Sequence, residues 1–529
     1  MHRKILNWIG ALALAAAAWQ ARAFSLLGPF DTWQTQIHGF QLSQDIGGPM
    51  NLGEEYRVNV PMIVYAFDES FLSYYGEKGA EEVEKAIQVF NDLPPFSEMS
   101  ADLHEYPLIS RRFNYRAGAL NLLDLKSWAL GVLLEHLGVA PAERYVWCLY
   151  NYIAPPQGPI YTVVQRNFDP ITFEPSSYVN GVLYTYRNVL ISQNPEIHEA
   201  VEIPVDPLKP TVTSVSALNM GGGTVDAPGA VIISSPGLFF TGLTRDDVAA
   251  LRYLYRFGNY NVENIISNAV LAPMGAKEEN TLLTSESGGS PWGPPGYTNA
   301  VGGTNVIGGG TNGLAPVLTG IRPGIDKLQF VRVDYDSMLG TWVPVTNRYT
   351  DYIITNSALY KQVVDRVLSA GPDLLFAAGD LGVDTAGQPV LYTVVSNIFV
   401  NNDALNGNTA LAGPGTIQPP FTITFSKIGR AWINAGGGEQ DAFLALWWGS
   451  FDGTTNEPVA YPKGASIKAI EELILSGRAD QEDVNPWLPP PALLTGGGAA
   501  GGGYGGQQQG NFGTGGATGV IGAGGGTTP

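Results

Sequence analysis

Residues Asp124 to Ala140 read DLKSWALGVLLEHLGVA. Leu125, Trp128, Ala129, Val132, Leu133 and Leu137 recur at helical spacing, with further apolar residues between them. A helix apolar on most of its sides belongs deep in a core rather than on a surface. It carries one imidazole, His136, next to one carboxylate, Glu135. These are the candidate catalytic residues of the stretch, and His136 is the first to mutate.

Working outward, Tyr56 to Phe67 (YRVNVPMIVYAF) has the β-branched and aromatic content of a strand. It leads through Gly76-Glu77-Lys78-Gly79 into a helix whose Val83, Ala86, Ile87, Phe90 and Leu93 share a face, with Pro94-Pro95 as its stop. On the other side, Ile171 to Val179 and Val182 to Ile191 flank Asn180-Gly181. That dipeptide predicts a type I′ hairpin, because both residues tolerate positive φ. LTRDDVAALRYLYRFG follows at Leu243 to Gly258, with Thr244 as N-cap, Asp247 three positions on, and Gly258 placed to end the helix.

Segments Val58 to Leu93 and Ala230 to Tyr255 (AVIISSPGLFFTGLTRDDVAALRYLY) resemble the entry and exit of a matrixin-type metzincin domain. The resemblance implies an active helix between them, bearing H-E-x-x-H-x-x-G-x-x-H. With His136 as the second histidine, Val132 stands at the first, Leu133 at the base, Val139 at the glycine and Ala142 at the third histidine. The Met-turn position falls on Ile232 or Ile233. One imidazole cannot hold zinc against water, so the resemblance implies a pseudoenzyme. His104-Glu105 and His198-Glu199 each lack the motif's second histidine, and His38 lies in a loop rich in Gln and Gly.

With 529 residues the chain exceeds the needs of one core. His2-Arg3-Lys4, the apolar run Ile5 to Trp19 and Ala21-Arg22-Ala23 read as an export signal cleaved near Phe24. The expected layout is a signal peptide at 1–23, a metzincin-like α+β domain at 24–258, and a Gly/Asn/Pro-rich linker at 259–320. A β-rich domain at 321–486 and a Pro/Gly-rich tail at 487–529, of a composition that favours disorder, complete it. The fold class is therefore α+β, the second domain a mainly antiparallel β-sandwich with inserted helices at Asn356 to Ala370 and Ser466 to Ser476.

Lys and Arg number 29 against 48 Asp and Glu, and loss of Arg3, Lys4 and Arg22 takes the net charge from −19 to −22. Such a surface repels nucleic acid and anionic lipid. No stretch after the signal is long and apolar enough to span a membrane. The lone Cys148, in YVWCLYNYI, reads as a small buried apolar residue.

No cofactor is expected. Calcium is the candidate ion for the loops holding Asp380, Asp384 and Asp403, whose oxygen-rich sequences also suit plain turns. Trp432 and Trp447-Trp448 are candidates for sugar stacking or, more simply, core. The combined expectation is a bacterial-type protein, secreted, periplasmic or at the cell surface, with a noncatalytic structural or interaction role. Its partner would be a protein or a cell-surface polymer. The alternatives are an unorthodox secreted hydrolase, a peptidase using Glu135 and His136, and a carbohydrate-binding surface protein.

Overall fold

The computed structural model describes residues 23–264 apart from 42–44, 55, 194 and 220–235. Beyond these it describes 319–336, 338, 341–343, 346–355, 358–367, 372–376, 398–400, 415–418, 421–422, 431–432, 443–444, 447–461 and 463–476. The described protein is mixed α and β, with several small sheets. Its helices are α1 (Glu69–Asn91), α2 (Tyr115–Ala119), α3 (Leu125–His136), α4 (Arg245–Tyr255) and α5 (Ile467–Leu475). None is long and apolar enough to cross a membrane.

The strand Met62–Phe67 is buried along its whole length, as its continuous apolar sequence requires. It pairs in parallel with Gln329–Arg332 on one side and with Leu374–Phe376 on the other. Leu374–Phe376 in turn pairs in parallel with Phe421–Thr422. Two more parallel pairs join distant segments: Tyr56–Val58 with Gly415–Gln418, and Leu122–Asp124 with Trp447–Ser450. Strands from both sides of residues 259–320 therefore share sheets. Pairings among Asn261–Asn264, Thr319–Arg322, Thr346–Thr355 and Ala358–Val367 are antiparallel.

α1 covers the sheet. Asp68 caps it by accepting from Phe71 N at 2.8 Å, so the helix starts ahead of the Gly76 to Gly79 stretch that the sequence reading puts before it. Gly76 remains a break, with φ 65° and ψ −168°, and the Tyr74 carbonyl there accepts from Lys463 N. Past the kink, Val83, Ile87 and Phe90 face the core, and Asn91 exchanges side-chain hydrogen bonds with both backbone groups of Phe330.

The Asn180-Gly181 turn forms as expected, with φ of 47° and 79° and Val179 opposite Val182. Its first strand is only Tyr178–Val179, while Val182–Gln193 finds its main partner in Glu196–Pro204. The helix expected over Asn356 to Ala370 is instead a strand, Ala358–Val367, paired residue for residue with Thr346–Thr355. Val363, Val364 and Val367 are β-branched, and a ten-residue partner of strand composition outweighs their helical spacing. α5 forms where expected, with Ser466 as N-cap.

Candidate functional site

Asp124 sets the start of α3. Its Oδ2 accepts from Ser127 N at 2.8 Å and from Ser127 Oγ, and Ser127 Oγ accepts from Phe240 N at 2.7 Å. Every residue of α3 except Lys126 is buried, as the sequence predicts. Burial pushes the Asp124 carboxyl up to about 7 despite its two serine donors. At the other end Gly138, with φ 91°, turns the chain where a Cβ would strike the Tyr56 carbonyl.

His136 is 1% exposed, and its Nδ1 lies 2.8 Å from Val132 O, one turn back in the same helix. That contact makes Nδ1 the protonated nitrogen. Burial depresses the imidazole to about 4. Glu135 is also buried, and so are Val132, Leu133, Val139 and Ala142, the residues that the sequence reading sets against the zinc motif. Among the described residues no group of three or more His, Cys, Asp or Glu side chains converges as a metal site would need.

The remaining histidines lie away from α3. His104 is on an exposed turn, with Nδ1 2.8 Å from Asp102. His38 Nδ1 lies 2.7 Å from Trp33 O. His198 is buried between Tyr152, stacked 3.8 Å away, and Glu196 at 2.7 Å. Beside it, Arg144 is ion-paired to Asp45, donates to Gly39 O at 2.8 Å and approaches Glu199 at 3.7 Å. His38, Arg144, Trp147, Cys148 and Glu199 line a small cavity there. Burial pushes the Cys148 thiol well above its ordinary pKa, which keeps it a protonated, unreactive group donating to Tyr145 O.

Trp448 is 3% exposed and meets Trp128 of α3 edge to face, ring centres 5.3 Å apart, so it is core and not a sugar platform. The Trp432 side chain and the candidate calcium ligands Asp380, Asp384 and Asp403 lie outside the described residues, as do Ile232 and Ile233.

The most heavily hydrogen-bonded buried charges were not singled out from the sequence, apart from Asp247 as a cap. Glu143, 1% exposed, accepts from Thr213 N at 2.6 Å, Thr213 Oγ1 at 2.7 Å, Ser214 N at 2.7 Å and Ser214 Oγ. Asp247 accepts from Val215 N and Ser216 N at 3.0 Å each, and from the Thr244 N and Oγ1 at 2.9 and 2.6 Å. The Thr244–Asp247 capping box thus forms as expected and also holds the segment Thr213 to Ser216. α4 stops at Arg256, with φ −54°, and not through a left-handed Gly258. Asp246 accepts from Asn180 N and from Ala23 N, and Asn180 Nδ2 reaches Thr244 Oγ1 at 3.0 Å. Burial raises both Glu143 and Asp246, the latter strongly. Only Asp247 announces itself locally, because the donors for Glu143 come from about 70 residues away.

Comparison with protein-family models, with curated proteins and with solved structures finds no match to this chain.

Proposed function

We propose that this is an exported, noncatalytic structural or interaction protein. Its N-terminal part is a metzincin-like scaffold without the zinc site, followed by a β-rich region, and its partner is another protein or a cell-surface polymer. The observation that carries this reading is the packing at the end of α3. Val132, Leu133, Val139 and Ala142 fill the places where ligands, base and glycine would stand, each at most 4% exposed. His136, the one imidazole there, is committed through Nδ1 to the Val132 carbonyl of its own helix. A catalytic zinc needs three protein ligands and an open position for water, and buried aliphatic side chains supply neither. The acidic composition, net −19, favours a partner that is not itself polyanionic.

Elemental analysis of the mature protein, purified without chelators or a metal-affinity tag, tests this directly. The expected result is no stoichiometric zinc and no turnover of a peptide library. Stoichiometric zinc with turnover abolished by chelation would overturn it.

A further inference from the structure

The described chain begins with two wholly buried residues, Ala23 and Phe24. Phe24 exchanges both backbone hydrogen bonds with Phe168, at 3.0 and 2.9 Å, and its ring centre lies 5.0 Å from that of Tyr253 in α4. The next residues, Ser25–Gly28, form the middle strand of a small sheet between Gly48–Met50 and Val139–Ala140. Residues Ala23 to Gly28 are thus built into the core.

Ala23 N donates to Asp246 Oδ2 at 3.1 Å. Asp246 is 1% exposed, and its Oδ1 has no hydrogen-bond partner among the described residues. The charges acting on it from nearby are Asp247 and Glu143, both of its own sign. Among the described residues no lysine or arginine pairs with any of the three. Burial, with two like groups beside it, holds the Asp246 carboxyl well above its ordinary pKa, and it ionises without a large cost only if a cation joins it.

The sequence supplies such a cation at this spot. Ala21-Arg22-Ala23 is the small-x-small pattern of a leader-peptidase site, and the bond it marks is the one joining Ala23 to Phe24. Hydrolysis adds one water across that bond. The Ala23 carboxylate leaves with the leader, and an α-ammonium is left on Phe24. We propose that this new ammonium takes over from the Ala23 N–H as the counter-ion of Asp246, so that removal of the leader completes the charge pairing at the start of α4. Phe24 follows Ala23 directly, their Cα atoms about 3.8 Å apart. Phe168 and Tyr253 hold Phe24 in place, next to the residue whose N–H meets Asp246.

The inference rests on export as proposed above, and the experiment separates the two. The full chain is expressed with its leader, recovered from outside the cytoplasm, and its intact mass is measured. The α-amine is then acylated at neutral pH, folded and unfolded. The expected result is a chain starting at Phe24 whose amine resists acylation when folded and reacts when unfolded, with Asp246→Asn abolishing the protection. Should that variant not fold, the pKa of the α-amine in folded wild type decides: an ion pair with Asp246 raises it above its ordinary value of about 8, whereas burial without a partner lowers it and overturns the pair. A chain starting at Phe24 whose amine reacts equally in both states overturns the ion pair and leaves export standing. A chain found only in the cytoplasm and retaining residues 1–23 overturns both.

Discussion

At the C-terminal end of α3 and at the N-terminal end of α4 the protein buries ionisable groups in opposite ways. His136 is kept neutral by burial, which holds the imidazole at about 4. Glu143 and Asp247 are buried to the same degree, yet four hydrogen-bond donors converge on each. The first arrangement asks little of the imidazole as a charge, so an apolar side chain of similar size can stand in for it. The second uses carboxylates to hold a segment, Thr213 to Ser216, that has few large apolar side chains of its own. There the acceptor oxygens are the fastening, and removing them strands several buried donors at once.

The largest effect should therefore come from Glu143→Ala. It leaves two backbone N–H groups and two hydroxyls without their acceptor, at a cost of about 4 kcal/mol or more. Glu143→Gln keeps one acceptor oxygen and should lose about half as much. Denaturant unfolding of both variants reads the difference. A loss confined to Glu143→Ala, with Glu143→Gln close to wild type, would mean that shape, and not acceptor capacity, holds the segment.

A purely apolar break comes next. Trp448 packs edge to face on Trp128 and sits on the strand that pairs in parallel with Leu122–Asp124, immediately ahead of α3. Trp448→Ala should cost about 3 kcal/mol through the cavity it opens. The loss should appear in the same cooperative transition as that of Glu143→Ala. A separate, lower transition would show that the Trp447–Ser450 strand is not part of the core that holds α3.

These pairs also show what a sequence can disclose. The full burial of α3, the capping box of α4, the Asn180-Gly181 turn and the limits of α5 were all legible, because each depends on residues within a few positions of one another. The pairing of Met62–Phe67 with strands more than 260 residues away was not. Parallel partners leave no turn or register signal in the chain. Ala358–Val367 failed for a related reason: three valines fit a helical face as well as a strand, and the deciding partner lay in the preceding ten-residue strand. At the candidate site, the departures Val132, Leu133, Val139 and Ala142 were visible because a spacing could be laid over them. Glu143 had no such template, since its meaning comes only from Thr213 and Ser214.

The smallest effect, and the one that sharpens the contrast most, is a pH dependence within α3 itself. Asp124 at its start and His136 at its end are both displaced by burial, in opposite senses. Below the ordinary histidine value of about 6.5 the unfolded chain gains a proton that folded His136 refuses until about 4, so this group lowers stability as pH falls through that window. Asp124 holds its proton up to about 7 when folded but only to about 3.9 when unfolded, so it raises stability as pH falls from 7 toward 4. His136→Leu, close to volume-conserving, should change stability at pH 8 by no more than about 1 kcal/mol and gain relative to wild type at pH 5. Asp124→Asn keeps an effective N-cap and should lose relative to wild type over the same interval. Glu143, Asp246 and the other buried carboxyls remain in both variants, so the difference from wild type isolates the two groups. Thermal unfolding midpoints at pH 8 and pH 5 provide the measurement. If His136→Leu shows no relative gain at pH 5, the imidazole accepts a proton in the folded protein, and its sealing from solvent is the premise to abandon.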